Sequence, residues 1–72
     1  MKEIEIPQEP FELNKLLKFE NLVASGGEAK FVINEGLVTV NGEVETRKRK
    51  QIVAGDTIEF QNESFKVKLA AN

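Results

Sequence analysis

Seventy-two residues with a formal net charge of -2, 40% of them apolar and 31% charged, have the composition of one small globular domain and not that of a disordered tail. A chain of this length buries about 60% of its unfolded surface, which leaves room for a single core and no second lobe. The absence of cysteine and histidine removes disulfide stapling, thiol nucleophiles, the usual zinc sets and imidazole acid/base chemistry together.

The opening MKEIEIPQEP is too acidic and too weakly apolar for a secretory signal, and no apolar run approaches the ~20 residues that cross a bilayer. A cytoplasmic location without membrane association is therefore expected. Within that opening, KEIEIP alternates charged and apolar residues and stops at Pro7, which predicts a short edge strand over residues 2–6. From Glu12, ELNKLLKFENLVAS sets Leu13, Leu16, Leu17 and Val23 on one roughly helical face with Lys15 and Lys18 displaced from it. A first helix should run from 12 or 13 to 19 or 20, and the Asn21 to Ala24 piece reads as a further turn or as a connection.

SGGE has the form of a capping box, with Ser25 accepting the backbone N–H near Glu28 while Glu28 reaches back. Ala29, Val32 and Ile33 then stack at helical spacing, and Gly36 can supply the left-handed residue that stops a second helix over roughly 26–35. So short a helix is marginal alone and relies on packing against the first helix and the strands.

LVTVNGEVET reads as two strands joined at Asn41-Gly42 in a type I′ hairpin, with Val38 and Val40 on one face and Val44 extending that face from the returning strand. QIVAGDTIEF puts a turn at Gly55-Asp56 and sets Ile58 and Phe60 on one side of a strand. NESFKVKL follows a turn at Asn62-Glu63 and points Phe65, Val67 and Leu69 inward, Lys66 and Lys68 outward. The order specifies a single α+β domain over residues 1–72, two adjacent helices packed on a small curved antiparallel sheet. Phe11, Phe19, Phe31, Phe60 and Phe65 are assigned chiefly to its core, although an exposed ring would serve as a stacking platform.

Charge is unevenly spread. Residues 1–45 hold Lys2, Lys15, Lys18 and Lys30 against nine glutamates, whereas TRKRK at 46–50 holds four cations and no acid. Such a run is relieved either by solvent, as an ordinary loop, or by an oppositely charged partner. In an extended segment Arg47 and Arg49 would point together, with Lys48 and Lys50 on the other side or splaying from a bend. Lys15 and Lys18 are three apart and share a stripe of the first helix, unless they are simply surface lysines. Lys30 follows Gly26-Gly27 at the start of the second helix, where free N–H groups favour a phosphate; the plainer reading of the glycine pair is a steric need at the helix junction. Neither a P-loop nor a dinucleotide fingerprint is present. Asp56 belongs to a turn, Glu43 and Glu45 should both be exposed beside the hairpin, and no nucleophile is spaced from a base. Neither catalysis nor a metal or organic cofactor is expected.

Taken together, LNKLLKFENLVASGGEAKFVINEGLVTVNGEVETRKRKQIVAGDTIEF, residues 13–60, resembles the S-four type of RNA-binding domain, also called the alpha-L motif. Within that superfamily it looks most similar to the small stand-alone bacterial proteins of the YaaA/YbcJ type, with SGGEAK, VNGEVETRKRK and VAGD as the telling pieces. The resemblance implies a ribosome-associated protein that binds structured ribosomal RNA, or another folded RNA, in preference to a short free strand, through the exposed side of the helix pair and the adjoining loops; a monomer is expected. Carried onto this chain, it implies Lys15 and Lys18 on the first helix, Lys30 on the second, Arg47, Lys48, Arg49 and Lys50 in the loop, and Gly26 and Gly27 shaping the junction. Many relatives have arginines where this chain has Glu12, Gly26, Gly27 and Glu28, a departure that moves the weight onto residues 46–50. The rival reading is a protein-interaction or assembly-factor module whose basic patch meets an acidic protein.

Overall fold

Alternation puts Ile4 and Ile6 of β1 (Lys2–Ile6) into the core and leaves Glu3 and Glu5 in solvent. In the computed structural model, which describes residues 1–70, the chain continues through β2 (Phe11–Glu12), α1 (Leu13–Phe19) and α2 (Gly26–Asn34). It then enters β3 (Val38–Val40), β4 (Glu43–Val44), β5 (Gln51–Ile52), β6 (Thr57–Phe60) and β7 (Glu63–Leu69). Five strands form one sheet in the order β1-β7-β6-β3-β4, while β2 and β5 pair separately. One face of the sheet packs with the helices around a core that includes Leu16 and Leu17 of α1, Val32 and Ile33 of α2, and Ile58 and Val67 of the sheet. Among the described residues no helix is long and apolar enough to cross a membrane.

Both helices end by the same local chemistry. After α2, Gly36 (φ 77°) donates to the Ile33 carbonyl and Leu37 N–H donates to the Val32 carbonyl, a Schellman motif. After α1, Asn21 (φ 59°) takes the left-handed position, and Leu22 N–H donates to the Leu17 carbonyl (2.9 Å). The Asn21 to Ala24 piece is therefore a connection, not a further turn. At the start of α2, Ser25 Oγ accepts from Glu28 N–H (3.1 Å), and Glu28 reaches back to the Ala24 N–H (2.7 Å), one residue beyond the capping residue. The hairpin turns at Asn41 and Gly42, both with positive φ, and the Asn41 side chain ties that turn to Asp56 and to Thr57 N–H.

The sheet is mixed, not purely antiparallel. β7 runs antiparallel to β6 but parallel to β1, with Ile4 opposite Val67. The first and last strands thus lie side by side, a pairing between distant segments that no local turn signal announces. Val44 is 61% exposed because it lies opposite Thr39, whose side chain faces away from the core, and not opposite Val38 or Val40. Leu69 is also exposed: the β6 ladder ends at the Thr57-Lys66 pair, so only β1 continues beside it. The β6-β7 turn falls one residue early, at Gln61 and Asn62, both left-handed. Of the five phenylalanines only Phe60 and Phe65 are fully in the core; Phe11 packs at its margin, and Phe19 and Phe31 are exposed.

Candidate nucleic-acid interface

The basic run folds as a tight turn and not as an extended segment. Lys50 N–H donates to the Arg47 carbonyl (3.1 Å), so alternation does not govern where the four side chains point. The backbone of this turn is anchored on α1. Leu13 N–H donates to the Lys50 carbonyl and Asn14 N–H to the Lys48 carbonyl, each at 3.0 Å. Glu12, at the cap position, makes no side-chain capping bond, and these two carbonyls satisfy amides that would otherwise be orphaned at the helix start. Their negative ends also meet the positive end of the helix. With its carbonyls turned inward, the run leaves Arg47, Lys48 and Arg49 exposed and Lys50 half-buried.

A second anchor is Glu45, which is only 9% exposed, whereas Glu43 is exposed. The expectation that both stand in solvent fails at Glu45. Its backbone N–H donates to the Val38 carbonyl (3.0 Å), which holds the residue against β3. Its Oε2 accepts from Arg47 Nε (2.8 Å) and from Arg47 N–H (3.0 Å), and its Oε1 accepts from Arg47 Nη2 (3.0 Å). The side-chain bond from Arg47 outweighs the opposing effect of burial and holds the Glu45 carboxyl at about 2, with the Arg47 amide and the nearby Lys50 charge adding to the same direction. A glutamate two residues before an arginine was the available signal, since at that spacing its carboxylate can reach both the backbone N–H and the guanidinium of the later residue.

The turn and α2 meet across a groove of about 520 Å3. Gly27, Lys30, Phe31 and Asn34 line it from α2, Thr46 lines it from the segment leading into the turn, and Lys48 from the turn itself. The four helix residues stand at i, i+3, i+4 and i+7, the exposed stripe that Ala29, Val32 and Ile33 leave when they turn inward. Phe31, assigned chiefly to the core from composition, is thus turned outward by its place off the Ala29, Val32 and Ile33 stripe, a signal that the helical spacing already carried. The approach of residues 46–48 to α2 carried no such signal, because it depends on how the β3-β4 hairpin is placed.

Lys15 and Lys18 are exposed on α1 but do not line this groove, and Arg49 stands exposed in the turn. Among the described residues salt bridges engage Lys2 with Glu63, Arg47 with Glu45 and Lys68 with Glu3, leaving Lys15, Lys18, Lys30, Lys48, Arg49 and Lys50 without a carboxylate partner. Lys66 is also unpaired, but it and Lys68 project from the sheet face opposite the core side of Phe65 and Val67. Gly26 and Gly27 open α2 without positive φ, and a Cβ added at either would meet nothing closer than Ser25 Oγ, 3.9 Å from that at Gly27. No steric need requires them.

An S4 domain family model matches residues 4–68. "Putative RNA-binding protein YbcJ" of Escherichia coli (strain K12) is 54% identical over 56 residues, covering 78% of this chain and 80% of that protein. "Probable ribosome maturation protein RlbA" of Bacillus subtilis (strain 168) is 35% identical over 58 residues, covering 81% of this chain and 82% of that protein. The solution structure of YbcJ from E. coli, described as revealing an alpha-L motif involved in RNA binding, aligns with a TM-score of 0.68 and 47% identity over 93% of this chain and 86% of that one. Two helices on a mixed sheet are thus the architecture of that motif.

Proposed function

The chain belongs to the S4 domain family, and from that membership we propose that it is a non-catalytic, single-domain RNA-binding protein of the cytoplasm that holds structured RNA against the α1, α2 and basic-turn side of the fold. Lys30, Lys48 and Arg49 are its principal phosphate contacts, with Lys15, Lys18 and Lys50 extending the patch. Arg47 contributes less free charge, because Glu45 already holds it, and acts mainly to shape the turn. Gly26 and Gly27 keep the start of α2 low and open to the RNA.

The observation that supports this reading best is the meeting of Lys30 and Lys48, eighteen positions apart in the chain, in one groove without a carboxylate partner for either. A basic turn whose backbone is already fixed loses little freedom when it engages an anion, which favours binding by a patch of only a few cations. A net charge of -2 does not oppose this, since local field and not net charge decides where a polyanion docks. The name of RlbA directs the choice of ribosomal RNA as the first substrate to test.

The test is binding of structured ribosomal RNA fragments over a salt series. Contact with about three to six phosphates gives a slope of log K against log salt of roughly -2 to -5. Neutralising Lys30 and Lys48 together should flatten that slope and weaken binding, while Lys66→Gln with Lys68→Gln should leave both nearly unchanged. Equal losses in the two double variants would reduce the patch to general electrostatics. No RNA binding at low salt, with an acidic protein captured instead, would favour the rival reading.

A further inference from the structure

Phosphate binding leaves the one aromatic ring of the groove without a task. Phe31 is 61% exposed, lies off the core stripe of α2, and stands between Lys30 and Asn34 on the groove wall. We propose that the groove takes one unpaired nucleotide of the bound RNA, with its base stacked on the Phe31 ring and its neighbouring phosphates held by Lys30 and Lys48. This assignment rests on the RNA-binding reading above and names the part of the RNA that the site selects.

The composition of the groove favours an unpaired base over a continuous duplex. An RNA duplex presents phosphates and 2′-hydroxyls, while its base faces are stacked inside, so an aromatic ring gains nothing from it. A base in a bulge or loop offers an apolar face of the kind that exposed aromatic side chains bind with little regard to sequence. The groove draws one cation from the helix, Lys30, and one from the turn, Lys48, so a base seated in it has a cation from each wall for its flanking phosphates. Asn34 and Thr46 add an amide and a hydroxyl for the base edge or the ribose. Gly27, glycine without a steric reason, leaves that wall of the groove without a side chain.

The chain contains neither tryptophan nor tyrosine, so Phe31→Trp installs a single fluorophore at the site. Three RNA probes suffice: a hairpin with one bulged adenosine, the same hairpin fully paired, and the bulged hairpin with an abasic nucleotide in the bulge. The wild-type chain and Phe31→Trp should prefer the bulged adenosine to the paired hairpin by roughly 5- to 150-fold. Tryptophan emission should be quenched by the bulged adenosine and not by the abasic probe. Phe31→Ala and Phe31→Leu should lose the preference while keeping the affinity for the paired hairpin, and Lys30→Gln should weaken binding to all three. Leucine separates a stacking face from mere apolar bulk, and the outward position of Phe31 leaves the core of each variant intact. If Phe31→Ala binds all three probes as the wild type does, or if the abasic probe quenches as strongly, stacking is overturned while RNA binding stands. If no probe binds at low salt, this assignment and the reading beneath it fall together.

Discussion

Glu45 acts at the level of one side chain. An acidic residue beside a candidate RNA surface is ordinarily unfavourable, yet this one is largely buried and chelates the backbone and guanidinium of Arg47. It removes some free charge from the patch and in return defines the shape of the turn that carries the rest. The bonds favour the ionised carboxylate, whose pKa of about 2 in the folded protein lies below its ordinary 4.5. Its stabilising effect is therefore complete above about pH 4.5 and is lost as pH falls towards 2. Because Arg47 itself is well exposed, solvent keeps the effect modest. Urea unfolding of wild type and Glu45→Gln should show a constant stability difference from pH 7 to 5 that narrows between pH 4.5 and 2.5. A difference that does not vary with pH would mean that the ion pair contributes nothing to folding. Phe19 and Phe31 were both assigned to the core and both stand exposed: for Phe31 the helical spacing carried the contrary signal, whereas the exposure of Phe19 depends on where α1 stops and on the edge-on contact with Phe11 at 5.7 Å.

Among the elements, helix ends were the most readable features because their chemistry lies within five or six adjacent residues. The serine cap, Gly36 and the Asn41-Gly42 turn are all local devices, and each stands where its spacing put it. Two glycines of the same helix region now separate by mechanism. Gly36 has φ 77° and its added Cβ would meet Val44 Cγ1 at an unstrained 3.5 Å, so backbone strain alone decides the outcome of substitution. Gly36→Ala should cost about 1–2 kcal/mol. Gly27 has helical backbone and free space, so Gly27→Ala should raise stability by roughly 0.4–1 kcal/mol. Denaturant titration of the two variants checks both signs, and a destabilising Gly27→Ala would point to a constraint on the start of α2 that the fold does not display. The strands were less legible. Whether Val44 faces inward is decided by its partner across β3, and alternation within β4 cannot show which register is taken.

Over the whole molecule, the α+β class and the helix pair over a sheet follow from periodicity, while the parallel β1-β7 pair and the separate β2-β5 ladder do not. Both join segments far apart in the chain, and nothing local distinguishes an edge that receives the N-terminal strand from one that does not. The same reason limited the candidate site: its cations were visible in the chain, but the groove exists only once the hairpin brings residues 46–48 to α2. The β2-β5 ladder leads straight into the two bonds from Leu13 and Asn14 to the basic turn. Those two amides exchange their protons with water only when the turn lifts from α1, so their exchange rates act as a clock for how long the cationic surface keeps its shape. In the free protein Leu13 and Asn14 should exchange together and faster in Glu45→Ala than in wild type, and bound RNA should slow both. Independent rates for the two amides would mean that the turn does not lift as one unit.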